Sequence, residues 1–131
     1  MFSIADIKKA QSSVKTGADF PKFAHELKEM GVVRNDVYVS NGLSIYFDDE
    51  DNAQQDSPAN YPELVINEDS SSDKLMHALK VHQQGETDYF TFCKQAADAG
   101  VEKWIIDLEA MTCTYLDAEG NELAKEKIPA I

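Results

Sequence analysis

The chain is poor in the features that mark most specialised proteins. Only two of its 131 residues are cysteines, Cys93 and Cys113. Two are too few for a disulfide scaffold, and they lack the C-x-x-C spacing of zinc ribbons and redox motifs. Reduced thiols are the simpler expectation, ahead of a Cys93–Cys113 bridge. Basic residues are also scarce: 12 against 24 acidic ones, for a formal net charge of −12. The densest basic patches are pairs such as Lys8-Lys9, so nothing supplies the local positive field that phosphate neutralisation needs. Anionic membrane surfaces repel such a chain as well. Neither nucleic acid nor membrane is expected as a partner.

No apolar run approaches the ~20 residues that span a bilayer. The stretch MFSIADIKKA has no basic segment ahead of a long apolar core, unlike a secretory signal, so a cytoplasmic location is expected. There is no glycine-rich phosphate loop, G-x-S-x-G elbow, HExxH or paired-carboxylate signature. No cofactor or metal is expected, and no histidine pair has an H-x-x-x-H spacing. The acidic stretch Asp48–Asn60 begins like a calcium loop but fails the test. Counted from Asp49, its sixth position is Gln54 where glycine is needed, and its twelfth is Asn60 where glutamate is needed. It reads as a solvated insertion.

What is present is a pattern written twice. Ser3 opens a capping-box-like start, with Ile4, Ile7, Ala10 and Val14 at helical spacing. Asp19 and Pro21 open a second helix whose stripe is Phe20, Phe23, Leu27 and Met30, ended by Gly31. Residues 36–40, the Asn41-Gly42 turn and residues 43–47 predict a hairpin. Residues 63–67 read as a short third strand. The order then recurs. One helix starts at Ser71 or Ser72, with Leu75, Ala78, Leu79 and His82 on one face. A second starts at Thr87 or Asp88, with Tyr89, Phe92, Cys93 and Ala96 inward, and ends at Gly100. Strands are expected at 103–108, 111–116 and near 123–128.

A shift of 69 residues (88 − 19) lays Asp19 on Asp88, Phe23 on Phe92, Gly31-Val32 on Gly100-Val101 and Tyr46 on Tyr115. It also lays Asp48, Glu50 and Asn52 on Asp117, Glu119 and Asn121. The expected fold is therefore α+β: one domain, residues 1–131, as an internally duplicated ααβββ–ααβββ chain with halves of about 1–69 and 70–131.

The densest chemistry lies in HQQGETDYFTFCKQ, residues 82–95. His82 and Cys93 fall on facing sides of an expected helical hairpin, so a thiol–imidazole pair with Asp88 nearby is one reading. Packing is the favoured one. Cys93 corresponds to Ala24 and His82 falls near Ser13 or Val14, so small or neutral residues fill the same slots in the first half.

Trp104, Ile106 and Leu108 alternate onto one sheet face beneath the helices. Tyr38, Ser44, Tyr46, Asp107, Cys113 and Tyr115 are expected on the other face. The matched pair Tyr46 and Tyr115 favours contact between halves or subunits, a homodimer included, over a small-molecule site.

The segment HQQGETDYFTFCKQAADAGVEKWIIDLEAMTCTYLDAEGNEL resembles the signature of the YbcV-like family. GADFPKF and the YVSNG-to-YF hairpin extend the resemblance over almost the whole chain. That resemblance implies a small bacterial or prophage protein of a group often labelled "phage envelope protein", and it transfers no activity, substrate or catalytic residue. The expected function is thus a non-catalytic binding or protein-interaction module, with an unidentified small molecule or protein as partner. A small thiol-dependent enzyme using Cys93 and His82 is the alternative.

Overall fold

The computed structural model of the chain describes residues 2–12, 14, 19–50, 52–56 and 63–128. Local chemistry sets the helix starts. Ser3 Oγ accepts from the Asp6 N–H at 3.2 Å and opens α1 (Ile4–Gln11). Ser71 Oγ does the same for Lys74 at 3.2 Å and opens α3 (Ser72–Gln83). Asp88 Oδ1 accepts from the Thr91 N–H at 2.7 Å and opens α4 (Tyr89–Asp98). Each bond satisfies a donor that the first helical turn leaves over. α2 (Phe20–Glu29) differs: Asp19 makes no side-chain cap bond, and Pro21 in the first turn supplies a pre-set φ. After α2 and α4 the chain turns through Gly31 (φ +96°) and Gly100 (φ +89°), a left-handed conformation that suits glycine.

Among the described residues, six strands follow these helices in two blocks: β1 (Arg34–Tyr38), β2 (Ser44–Phe47) and β3 (Ala53–Gln55), then β4 (Val101–Asp107), β5 (Thr112–Asp117) and β6 (Glu122–Lys127). They form one antiparallel sheet ordered β3-β2-β1-β4-β5-β6. The fold is α+β, with the element order ααβββ–ααβββ.

The ladder repeats with the 69-residue shift. Asp36 pairs with Ile105, its own equivalent (105 − 36 = 69), while Asn35 pairs with Ile106 and Val37 with Trp104. Exchanging the halves turns each of the last two pairs into the other. The flanking bonds obey the same rule: Val39 N–H donates to Glu102 O at 3.0 Å, and Leu108 N–H donates to Val33 O at 2.9 Å. Arg34↔Phe47 through Val37↔Ser44 in the first half match Lys103↔Leu116 through Ile106↔Cys113 in the second. A pseudo-twofold axis therefore crosses the sheet at the Asp36–Ile105 pair. Bulges between Val101 and Lys103 in the β4–β5 pair and between Tyr115 and Leu116 in the β5–β6 pair break the agreement locally.

Two expectations are corrected. The third strand of the first half is Ala53–Gln55, inside the acidic stretch read as an insertion, and residues 63–67 form no strand. Their alternation is real, with Leu64 and Ile66 packed inward and Val65 90% exposed. Among the described residues they gain isolated backbone bonds, Leu64 N–H to Ser40 O and Asn67 N–H to Ala97 O, and no ladder. The acidic turn instead copies its counterpart: Asp48 Oδ1 accepts from Glu50 and Asn52, as Asp117 Oδ1 accepts from Glu119 and Asn121. Residues 57–62, the rest of that stretch and its exit, lie outside the described residues.

The second correction concerns the sheet faces. Trp104 lies directly opposite Tyr115, and Ile106 opposite Cys113. Opposed residues of an antiparallel pair share a face, so Tyr46, Ser44, Cys113 and Tyr115 lie with Trp104 under the helices. Of the residues expected on the open face, only Tyr38 and Asp107 are there. The interior is one cluster drawn from both halves, including Ile7, Leu27 and Tyr46 with Leu75, Cys93 and Trp104.

Candidate ligand-binding cavity

The cross-strand pairing dictates the floor of a cavity. Across β2-β1-β4-β5 the inner-face positions are the equivalent pairs Asn35 and Trp104, Val37 and Ile106, Ser44 and Cys113, and Tyr46 and Tyr115. The two helical hairpins stand over this floor. They contribute the equivalent pairs Phe20 and Tyr89, and Phe23 and Phe92. Together with His82 and Leu79 these enclose a cavity of about 330 Å³ that straddles the pseudo-twofold axis. Its rim carries Gln11 and Gln83, both exposed, and Tyr89, which is 39% exposed.

The second half supplies a continuous aromatic wall. His82 stacks on Phe92 with ring centroids 4.6 Å apart and planes 11° apart. Phe92 leans on Trp104 at 5.6 Å, and Trp104 on Tyr115 at 5.8 Å. Tyr89 meets Trp104 edge-on at 6.3 Å. Offset and edge-to-face geometries of this kind hold aromatic rings in fixed places. The floor itself is made of side chains on paired strands.

The polar groups of the floor are engaged and uncharged. Asn35 Nδ2 donates to Ile45 O at 3.1 Å. Tyr46 is hydrogen-bonded to the Ser44 side chain, and burial pushes its hydroxyl up to about 12. Cys113 is hydrogen-bonded to Tyr115, and burial pushes the thiol up to about 12 as well. Tyr115 is also held well above the ordinary phenol range by burial, then by Cys113 and Glu126. A thiol in that state is no nucleophile near neutral pH.

His82 sits at the end of α3, with Nδ1 3.1 Å from Thr87 O and 3.2 Å from Thr87 Oγ1. Desolvation lowers its pKa, with the Thr87 carbonyl and Asp88 pulling the other way. Cys93 has no exposed surface and belongs to the core cluster, whereas the thiol on the cavity wall is Cys113. Asp88 is the cap of α4; its bonds from Thr91 hold the carboxyl below the usual range. His82, Asp88 and Cys93 are thus neighbours in sequence that the fold assigns to a cavity wall, a helix cap and the core. Asp107 shapes the β4–β5 turn by accepting from the Glu109 and Ala110 N–H groups, both at 3.0 Å. Tyr38 lies on the outer face beneath Lys103 Nζ, 5.6 Å from its ring centroid.

Asn35, like Gln11 and Gln83 at the rim, is a wall residue that the sequence pattern does not single out. Its signal was its parity with Val37 and Val39, which makes it the one polar side chain of β1 turned inward. Among the described residues, no group of three His, Cys, Asp or Glu side chains is placed to hold a metal ion, and no helix is long and apolar enough to cross a membrane.

Residues 8–127 match the family described as Protein of unknown function (DUF1398), and the chain belongs to that family. No curated protein matches it.

Proposed function

We propose that the cavity on the pseudo-twofold axis binds a small, flat, mostly apolar molecule, and that the protein is a non-catalytic binding module. The observation that carries this reading is a space of about 330 Å³ set among aromatic side chains of the sheet and of the α3–α4 hairpin, with only neutral polar groups on its floor. Ligand sites have this character: a mostly apolar, preformed hollow with a few convergent polar groups, at the lower end of the usual size range. A thiol enzyme is disfavoured, because Cys93 is sealed in the core and Cys113 is held protonated. The YbcV-like resemblance, a bacterial or prophage source, a cytoplasmic location and descent of the two halves from one duplicated unit belong to the same reading.

Trp104 is the sole tryptophan and stands on the cavity wall, so its indole N–H is a single built-in reporter. Titration with indole should move that amide-region NMR signal saturably, and Val37→Phe, which fills the floor, should abolish the response. An unmoved Trp104 signal at millimolar indole would sink the reading. So would a response that survives Val37→Phe in a folded variant.

Self-association is a second reading, on different ground from the buried tyrosine pair. The outer sheet face carries Ile45, Phe47, Ile105 and Leu116 beside Tyr38, while the buried residues of all four helices join the inner cluster. Sedimentation across a dilution series tests it; a monomer at high concentration removes it.

A further inference from the structure

Among the described residues, the walls of the cavity carry no formal charge. Of the seventeen described residues that line it, none is Asp, Glu, Lys or Arg, although such residues make up 27% of the chain. A charged ligand entering this space would lose its hydration without gaining a counter-charge. Such a space favours a neutral occupant.

His82 adds a direction. A carbonyl oxygen only accepts, so an imidazole nitrogen 3.1 Å from Thr87 O must donate to it. Neutral His82 is thereby fixed as the Nδ1–H tautomer, and Nε2 keeps a bare lone pair. Phe92 covers one face of the ring. Nδ1 is turned to the α3–α4 connection, so the Nε2 edge is what His82 brings to the cavity wall. The aromatic wall beyond it, Phe92 then Trp104 then Tyr115, offers ring faces to a flat molecule.

We infer that His82 is the specificity-determining residue of this cavity, accepting through Nε2 a hydrogen bond from the N–H or O–H of an uncharged, flat ring compound. The inference rests on the cavity being a ligand site, and the test separates the two. Three probes suffice: indole, 1-methylindole, which keeps the ring and lacks the donor, and indole-3-carboxylate, which adds a negative charge. Binding is followed through the Trp104 indole N–H signal, and the tautomer through the His82 imidazole nitrogen shifts.

In the wild type, indole should bind about ten-fold tighter than 1-methylindole, the value of one neutral hydrogen bond. Indole-3-carboxylate should bind more weakly than either. His82→Phe keeps the ring on Phe92 and removes the acceptor, so it should bring indole and 1-methylindole to equal affinity. His82→Gln, which places an amide oxygen near the former Nε2, should restore part of the preference. Equal binding of indole and 1-methylindole by the wild type overturns the role of His82 while leaving the cavity reading intact. So does an unchanged preference in His82→Phe, or an Nε2–H tautomer. Failure of every probe to move Trp104 overturns the cavity reading, and this inference with it.

Discussion

Ser44 and Cys113 occupy equivalent places on the inner face of the sheet, each two residues before a buried tyrosine to which it is hydrogen-bonded. Asn35 and Trp104 are equivalent too, as are Phe20 and Tyr89. The two halves thus share their backbone ladder almost pair for pair and diverge where side chains meet the cavity. A pseudo-twofold frame constrains register, turn and helix packing. It leaves the lining free to become one-sided: richer in rings in the second half, and with smaller polar side chains such as Asn35 and Ser44 in the first. The comparison teaches that the repeat builds the container, and that the departures from the repeat determine what the container fits.

The largest expected effect comes from the thiol–hydroxyl difference. Folding holds Cys113 protonated from an ordinary 9.0 up to about 12, and Tyr46 from 10.0 up to about 12. Because the folded values lie above the unfolded ones, the stability they contribute is complete below about pH 9. It is lost as pH rises towards 12. Three pKa units on one buried thiol are worth up to about 4 kcal/mol. Cys113→Ser makes the second half resemble the first and replaces a thiol by a hydroxyl that does not titrate in this range. Urea unfolding between pH 8 and 11 should show a shallower decline for Cys113→Ser than for the wild type. Identical slopes would mean that the thiol does not feel its burial.

A smaller effect separates two glycines in equivalent turns. Gly31 and Gly100 share a left-handed φ, but a Cβ on Gly31 would meet nothing within 4 Å, whereas one on Gly100 would lie 2.7 Å from Ser70 Cα. Gly31→Ala should therefore cost only the left-handed strain, about 1 kcal/mol. Gly100→Ala adds a clash with main chain that cannot rotate away, for a total of about 3 kcal/mol. Urea midpoints of the two variants decide the matter, and equal losses would mean that the approach of residue 70 to the α4–β4 turn is loose.

Much of this architecture was legible because it depends on local chemistry. Ser3, Ser71 and Asp88 cap where their position before an apolar stripe says they should. The helix stops at Gly31 and Gly100 follow from their φ requirement. The 69-residue shift fell directly out of matched residues. Two features are implied by the same shift and yet hidden in the local sequence. The matched Asp-x-Glu-x-Asn turns already required a strand after Asn52 to mirror β6, yet three residues of low β-propensity (Ala53–Gln55) hid it. Strand limits of 103–108 and 111–116 already placed Trp104 opposite Tyr115, and hence on one face with it. The cavity itself was not legible, because its volume depends on how far two helical hairpins stand apart across the axis. No local pattern encodes that distance.

The smallest effect concerns His82, whose equivalent position, residue 13, lies outside the described residues. Its pKa is lowered chiefly by desolvation, against the opposing pull of the Thr87 carbonyl and Asp88. A histidine whose folded value lies below its unfolded one gives stability that is full above about pH 6.5 and falls as pH drops. Asp48, Asp88 and Asp117 are also lowered by folding, from an ordinary 3.8, so their losses begin only in more acid solution. The window between about pH 6.5 and 4.5 therefore isolates the imidazole. There the wild type should lose stability while His82→Phe stays nearly level, even though the variant starts lower for want of the Thr87 bonds. A wild type as level as His82→Phe would place the ring in contact with water on its Nε2 side. The bare acceptor would then face bulk solvent, and the one-sidedness of the cavity would rest on its aromatic wall alone.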